Sequence, residues 1–472
     1  SDTIKSHPGE FLWMLDETVQ MNRQTQYGVI HGYGEFIEFS LDNAKASQLR
    51  CVLDQFLPYA ASVVTSPTFW REPTVESDSF EPNKDWIPPV VSRTAKKLAS
   101  QDSIGLTEDD FGRLLAAVLA IKNQSVGIEA SSDPMTSAIN NPRGTAIEAL
   151  LQLLLRRCRD ADKQKGNHEE EWASLRVELE SELGQCTDGK SLESSTLFAS
   201  YLAQLLYVDP GWTKKNIARM FPIEHPVNLA SAIGGLAYAN STPSVYKTLK
   251  ESDIPARALR QETIEGSARE RLVERVALAY IWGLEPLTSP VISEMFTEAR
   301  LEDLIELANT ISRWSSEKLS AEQTNRAKAL GRAMVEFKPA DSVLRKRVLS
   351  TASRLISFAV NPTEADMEWL LEVVPHSHDG HGNDHALEAL EEMVKVNPPR
   401  AAQLFEAFMT NYTFRYDYRD RLHNTVRALD SAGFHQLALG AVNQLVKSGG
   451  GAKWVSLYNE LVGKEPATKA PH

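Results

Sequence analysis

The chain has 472 residues, a formal net charge of −13 at pH 7 and 42% hydrophobic residues. This apolar content is ample for a sizeable core, and no apolar run approaches the ~18 residues needed to span a bilayer. The negative charge argues against a general nucleic-acid surface, because phosphate binding needs clustered Lys and Arg. We therefore expect no membrane span and no nucleic-acid partner.

The cysteines and the first residues indicate the cellular compartment. Cys51, Cys158 and Cys186 are widely spaced and odd in number, which favours reduced thiols in a cytosol over a disulfide framework. The opening SDTIKSHPGEF lacks the basic and apolar regions of a secretory signal. We expect a cytoplasmic protein, and the start without Met suggests a piece of a longer polypeptide.

The N-terminal region, residues 1–125, is predicted to be a helical cap or junction. Within it, residues 27–39 alternate apolar and polar side chains around Gly32 and Gly34, which predicts a small β-hairpin. A Gly-rich bend between two helices is the alternative. Residues 65–90 are rich in Pro, Ser and acidic groups and predict a long exposed loop.

From about residue 100 onward, the pattern is a succession of helices with short Pro, Gly or Asn punctuation. Proline stands where helices should begin, since its missing N–H costs nothing in the first turn, at Pro210, Pro226, Pro243, Pro362 and Pro398. Helix pairs recur at roughly 35–45 residues, the scale of tetratricopeptide or HEAT-like hairpins. We predict an all-α fold, with an irregular α-solenoid of helical hairpins over residues 126–462 and a disordered tail over residues 463–472.

Residues 133–157, DPMTSAINNPRGTAIEALLQLLLRR, carry the most informative pattern of the chain. Asn141 and Pro142 are residue types that start helices, and with Asn140 and Gly144 they mark a turn. The apolar residues that follow recur at the spacing of one buried helical stripe: Ile147, Leu150, Leu151, Leu154 and Leu155. This pattern indicates a helix packed on other helices.

The same stretch carries a family resemblance. AINNPRGTAIEALL resembles the AINxxRGxALEALI stretch of C-terminal helical-repeat regions in bacterial antiviral STAND NTPases, the Avs family, and in related multidomain anti-phage proteins. Looser similarities lie in YVDPGWTKKNIARMFP at residues 207–222, in residues 237–250 and in residues 416–450. Together they span about residues 130–462, and none of them is a catalytic motif.

The resemblance implies a function for this region. In the Avs family the C-terminal repeats are the sensor, which recognises a phage structural or packaging protein such as the large terminase subunit or the portal. Binding then activates an NTPase and an effector located upstream in the same polypeptide. The chain would accordingly be a sensor and not an enzyme. A general helical scaffold that assembles proteins unrelated to defence is the alternative.

Residues 184–191, GQCTDGKS, match the P-loop pattern of nucleotide-binding proteins. A working P-loop follows a buried strand, so that its backbone N–H groups wrap a phosphate at the next helix. Here the preceding residues 169–183 predict a charged amphipathic helix instead. We interpret the segment as a helix end, a loop and a new helix capped by Ser191 or Ser194.

A second chemistry-like segment is PHSHDGHGNDH, residues 375–385, whose His and Asp side chains could bind zinc or a similar metal. Such a site would support a metal-dependent hydrolase as a further alternative function. The spacing matches no zinc signature, and a polar loop whose Asn383 or Asp384 caps the next helix accounts for the same residues. We assign no catalytic residue, no cofactor and no metal.

An aromatic and arginine-rich segment, NYTFRYDYRDR at residues 411–421, is the candidate partner-binding site. Tyr and Arg dominate interface hot spots because they bury a large area and form hydrogen bonds at its edge. The candidate residues are Tyr412, Phe414, Arg415, Tyr416, Tyr418 and Arg419. The alternative is an inter-helix turn whose aromatic rings fill the gap between successive helical repeats.

Overall fold

The computed structural model describes residues 23–42, 49–73, 82–378, 382–410, 412, 417–449 and 451–463, apart from the side chains of residues 382, 383 and 418. These residues form helices and no strand, so the predicted all-α class is confirmed for the part of the chain described. The chain divides into two compact units, Ser1–Arg271 and Leu272–His472, a division that differs from the boundary predicted near residue 125. No helix among the described residues is long and apolar enough to cross a membrane.

The helices of both units are short and follow one another closely. The first unit contains α1 (Arg23–Asp42), α2 (Arg50–Thr65), α3 (Pro67–Arg71), α4 (Ile87–Ser100), α5 (Glu108–Gln124), α6 (Pro134–Asn140), α7 (Pro142–Lys165), α8 (Glu169–Thr187), α9 (Leu192–Ser200), α10 (Leu202–Val208), α11 (Pro210–Met220), α12 (Pro226–Leu236), α13 (Pro243–Glu251) and α14 (Ile254–Leu259). The division falls within α15 (Gly266–Trp282). The second unit continues with α16 (Pro290–Ser293), α17 (Leu301–Arg313), α18 (Ala321–Glu336), α19 (Ser342–Ser353), α20 (Glu364–Val373), α21 (Gly382–Val396), α22 (Pro398–Thr410), α23 (Arg421–Ser431), α24 (His435–Lys447) and α25 (Ala452–Val462).

The β-hairpin predicted at residues 27–39 is wrong, and so is the alternative bend, because α1 runs through the segment as one helix. Its buried side chains recur at helical spacing: Tyr27, Ile30, Tyr33, Ile37 and Leu41. Gly34 does not break the helix because its place is a packing contact, where a Cβ would lie 2.3 Å from Cγ1 of Val90 on α4. The glycine therefore marks a close approach of two helices and not a turn.

The long loop predicted at about residues 65–90 is wrong at both ends, where the structure has helices. Helix α2 continues to Thr65, α3 begins at Pro67, and α4 begins at Ile87 after a short turn of 3-10 helix. Pro67 and Pro88 both occupy first-turn positions, where proline starts a helix instead of breaking one. Residues 74–81 lie outside the described residues.

Most of the predicted proline helix starts are confirmed. Pro210, Pro226, Pro243 and Pro398 are the first residues of their helices. Two of these starts are also capped, because the side chains of Asp209 and Thr242 accept backbone N–H groups of α11 and α13. Pro362 differs, since α20 begins two residues later behind the N-cap Thr363.

The packing in the second unit repeats along the chain. Each helix from α18 to α22 packs on the helix two places later. Polar contacts join positions separated by similar stretches of sequence, from 46 residues between Tyr280 and the Arg326 carbonyl, through 38 between Lys328 and Asp366, to 33 between Arg427 and Glu460. Packing confined to sequence neighbours is typical of helical-repeat proteins.

Candidate partner-binding site

The candidate segment 411–421 follows the end of α22, and the structure separates its residues. Tyr412 is only 5% exposed, stacks on Phe408 at 5.3 Å and meets the ring of His378 edge-on at 5.2 Å. Arg419 is exposed and has a left-handed backbone, with φ of 55°. Tyr412 therefore fills a gap between helices, as the alternative interpretation expected, while Arg419 lies at the surface.

Three further candidates, Phe414, Arg415 and Tyr416, lie outside the described residues. Tyr418 begins a turn of 3-10 helix, and its side chain is not described. The turn is anchored by Asp417, whose carboxylate accepts the backbone N–H of Leu422 at 2.9 Å and so supports the start of α23. Asp417 therefore fixes the described end of the segment to the start of α23.

An open groove lies beside this segment, between α22 and α24, and has a volume of about 710 Å³. We call it the α22–α24 groove and define it by its lining residues: Pro399, Ala402, Gln403, Glu406, Met409, Thr410, Phe434, Gln436, Leu437, Gly440, Ala441 and Gln444. Gln444 donates to the main-chain oxygens of Met409 and Tyr412, at 3.0 and 3.2 Å, and closes one end. Gln444 thus connects the groove to Tyr412, the described residue at the start of the segment.

A buried cluster of charges joins four helices of the first unit, and sequence reasoning missed it. We call it the Arg143 cluster: Lys122 on α5, Arg143 on α7, Glu182 on α8 and Glu193 on α9. Arg143 reaches Glu182 with an Nη2–Oε2 distance of 2.6 Å and also pairs with Glu193. Lys122 approaches the other oxygen of Glu182 at 3.0 Å. The side chains of Glu182 and Glu193 are only 3% and 1% exposed, so this is a core network.

The charges of the Arg143 cluster stabilise one another in their ionised forms. Burial raises the pKa of Glu182, but the charges of Arg143 and Lys122 and a hydrogen bond from Ser194 outweigh burial, and the pKa lies below its ordinary value. Burial lowers the pKa of Arg143, and the two facing carboxylates reverse that effect and raise it. Arg143 and Glu182 therefore each favour the ionised form of the other.

The other residues of the stretch AINNPRGTAIEALL also have structural roles. Asn141 caps α7 by accepting the N–H groups of Arg143 and Gly144, and Thr145 donates its hydroxyl to the carbonyl of Ile139 at 3.1 Å. Gly144 allows α6 and α7 to touch, since a Cβ there would lie 2.0 Å from the carbonyl oxygen of Ala138. The stretch thus specifies how helices meet.

The P-loop-like segment 184–191 has the geometry of a helix end and a new helix start. The preceding residues are helix α8, as predicted. The backbone N–H groups of Gly189 and Lys190 donate to the carbonyls of Cys186 and Gln185 and close that helix, so they do not point at a phosphate. Ser191 caps α9 and accepts a hydrogen bond from Arg143 at 2.7 Å, which places it in the core.

We expect this segment to bind no nucleotide. Lys190 pairs with Asp188 at the surface, so Lys190→Ala should leave the unfolding midpoint nearly unchanged. Titration of the chain with Mg-ATP in a calorimeter should give no saturable heat for the unmodified chain or for the variant. Micromolar binding that Lys190→Ala abolishes would contradict this interpretation and would restore a P-loop function.

One described histidine of residues 375–385, His378, is used in packing. His378 approaches the carbonyl oxygen of Phe408 at 3.0 Å, and its ring packs on Phe408 and Tyr412. Burial and the nearby charge of Arg354 lower the pKa of His385, and a cationic neighbour also disfavours a divalent metal. Asp379 and His381 lie outside the described residues, and α21 begins at Gly382. Within the described part of the chain, no three His, Cys, Asp or Glu residues are grouped to hold a metal.

Comparisons with known proteins do not add a family or a function. No protein-family model, no curated protein and no solved structure matches the chain. The fold and the two features described above, the Arg143 cluster and the α22–α24 groove, are therefore the basis for a functional proposal.

Proposed function

We propose that the chain is the sensor region of a cytoplasmic anti-phage defence protein and binds a folded phage protein, the large terminase subunit or the portal. The observation that supports protein recognition is the α22–α24 groove, an open and largely apolar cavity whose lining residue Gln444 donates a hydrogen bond to the carbonyl of Tyr412. The ligand class rests on the resemblance of residues 130–462 to the sensor regions of Avs proteins. Binding would act on an NTPase and an effector upstream in the same polypeptide.

A chain of helices that pack in a repeating order offers a broad surface, which suits recognition of a partner by its shape. Stable recognition of a folded protein buries on the order of 1,000 Å² or more, which needs more than one groove. The groove and the exposed side of segment 411–421 would supply the central contacts, where aromatic and arginine side chains concentrate binding energy. The chain's role would be binding alone, since the groups of its P-loop-like segment are engaged in capping and packing.

A general scaffold that assembles other proteins is the second candidate function. The observation that favours it is the structural use of the resemblance stretch. Asn141 caps a helix, Gly144 permits a close approach, and Arg143 lies in a buried charge cluster. Residues with these roles specify a helical core and can recur in helical proteins of unrelated purpose.

The proposal is tested by size-exclusion chromatography of the purified chain with individually purified phage large terminase subunits and portal proteins. We expect one of them to co-elute with the chain. The variant Arg419→Ala should weaken that complex by about 10-fold, as arginine anchors do at interface centres. Arg347→Ala, which removes an exposed arginine paired with Glu302, is the matched control and should leave the affinity unchanged.

Two results would contradict the proposal. If a broad panel of terminases and portals gave no complex, the ligand class would be wrong and the scaffold would be the better candidate. If a complex formed and both arginine variants bound equally well, segment 411–421 would not be part of the interface.

A further inference from the structure

The α22–α24 groove is long enough to accommodate one short helix. Its α22 wall runs from Pro399 to Thr410, roughly 16 Å at the rise of an α-helix, or about three turns. On the other side, Leu437, Ala441 and Gln444 recur at helical spacing on one face of α24, and the N-cap residue Phe434 precedes them. Two helix faces thus flank an elongated cavity over the same length.

The lining of the groove favours close approach of another backbone. Ala402, Met409 and Ala441 are buried and form an apolar floor. Gly440 is exposed on α24, and a Cβ at this position would meet no atom within 4 Å. The small residues Ala402, Gly440 and Ala441 leave room for the side chains of an incoming helix, as in other helix-in-groove interfaces.

One charge faces the groove, and it lies near the middle of the α22 wall. Glu406 is exposed, and within the described part of the chain its carboxylate makes no hydrogen bond or ion pair. The other polar lining groups are the neutral side chains of Gln403, Thr410, Gln436 and Gln444. A single carboxylate above an apolar floor is complementary to a ligand with one cationic side chain among apolar ones.

We infer that the α22–α24 groove binds an amphipathic α-helix of about three turns from the partner protein, with its apolar face on the floor and a Lys or Arg opposite Glu406. The inference rests on the proposed function, because it names the element by which a partner protein would be held. A β-strand is a poorer occupant, since both walls are helices whose backbone groups are already paired and offer no sheet edge.

The test uses designed helical peptides of about 12 residues, the length of three turns, and the full chain. Each peptide carries Leu at one helical face and Ala elsewhere, and the two versions differ by a central Lys or Glu on the edge of that face. Fluorescence anisotropy of labelled peptide measures the dissociation constant. We expect the Lys peptide to bind at least 5-fold more tightly than the Glu peptide.

Two variants test the groove without disturbing the core. Gly440→Leu fills the cavity from an exposed helical position and should raise helix stability, so a loss of binding would not reflect unfolding. We expect it to weaken binding of the Lys peptide at least 10-fold. Gly112→Leu on α5 is the matched control, because this helical glycine is also exposed with no atom within 4 Å of a Cβ.

Charge reversal distinguishes specific recognition of the peptide's charged side chain from non-specific hydrophobic binding. Glu406→Lys should reverse the peptide preference, so that the Glu peptide becomes the tighter ligand. Glu368→Lys on α20 reverses an exposed helical glutamate that does not line the groove and should leave the preference unchanged. Loss of the preference without reversal would overturn the role assigned to Glu406.

The inference is overturned if neither peptide binds saturably, or if both bind Gly440→Leu as well as the unmodified chain. These outcomes are separable from failure of the proposed function. A phage protein that binds the unmodified chain and Gly440→Leu equally well would leave the sensor function standing and remove the groove from it. If peptide binding depended on Gly440 and Glu406 but no phage protein formed a complex, the groove would be confirmed as a helix-binding site. The proposal that the partner is a phage terminase or portal would then be wrong.

Discussion

Replacing Arg143 with Met is expected to lower the free energy of unfolding of the first unit by roughly 3–5 kcal/mol, the cost of breaking a buried ion pair from one side. The substitution keeps a long side chain and removes the guanidinium. Glu182 would then retain Lys122 as its cationic partner, and Glu193 would lose the only cation with which it forms an ion pair in the described structure. Both carboxylates would remain buried, so the loss should appear as a lower urea midpoint measured by circular dichroism.

The control is a surface arginine of the same unit. Arg113→Met on α5 removes an exposed ion pair with Asp109, and we expect a loss below about 1 kcal/mol. If the two variants unfolded at the same urea concentration, the Arg143 cluster would contribute no more than a surface pair. The assignment of a core role to the arginine of the resemblance stretch would then be wrong.

The pH dependence of the Arg143→Met effect follows from the pKa of Glu182. In the folded chain this pKa lies below its ordinary value, so Glu182 contributes stability above the unfolded-state pKa and loses it as the pH falls through the folded-state pKa. In Arg143→Met the guanidinium no longer opposes the effect of burial on Glu182, so the folded-state pKa of Glu182 rises. Protonation of Glu182 at acid pH then removes the cost of its buried charge in the variant. The difference in unfolding free energy should therefore be largest near pH 7 and narrow toward about pH 4. A difference independent of pH would exclude Glu182 as its source.

The second large effect is expected for Gly144→Ala, which should lower the free energy of unfolding by about 1–3 kcal/mol. Alanine ordinarily stabilises a helix interior by nearly 1 kcal/mol relative to glycine. Here the added Cβ would lie 2.0 Å from the carbonyl oxygen of Ala138. The carbonyl is part of the backbone and the Cβ is fixed to it, so a side-chain rotation cannot relieve the clash. The start of α7 would have to move away from α6, and the cap at Asn141 would move with it.

Gly112→Ala gives the opposite sign and is the matched comparison. Gly112 is exposed within α5 and has no atom within 4 Å of a Cβ, so the substitution should stabilise the unit by about 0.5–1 kcal/mol. Thermal unfolding of the two variants side by side would measure the difference. Equal stabilisation by both alanines would show that the helices at Gly144 adjust without cost.

Local chemistry in the sequence accounts for much of the fold. The starts of α11, α12, α13 and α22 follow from a proline in the first turn, and the capping role of Ser191 follows from its place before α9. These features depend on a few adjacent residues, so one sequence suffices to predict them. The β-hairpin predicted at residues 27–39 was wrong because the apolar residues there satisfy both an alternating and a helical period. The sequence alone does not distinguish the two, whereas packing on α4, with its close approach at Gly34, favours the helix.

The candidate site was less predictable, for a physical reason. The Arg143 cluster draws its charges from four helices, and the groove depends on the distance between α22 and α24, so neither is a local pattern. One signal was present: Glu182 lies on the apolar stripe of α8 with Leu175, Leu179 and Cys186, where a charge is out of place. Tyr412 was predicted to be a partner contact from its aromatic character, but composition could not tell a buried ring from an exposed one, and the ring is buried.

Packing restricted to near neighbours in the second unit has a consequence for how such a chain can change over generations. Since helices α18 to α22 each pack on the helix two places later, the neighbours of any one hairpin resemble each other in what they must cover. A hairpin can then be duplicated or deleted as a cassette while the flanking helices find equivalent partners. Diversity can then accumulate by whole cassettes as well as by single substitutions.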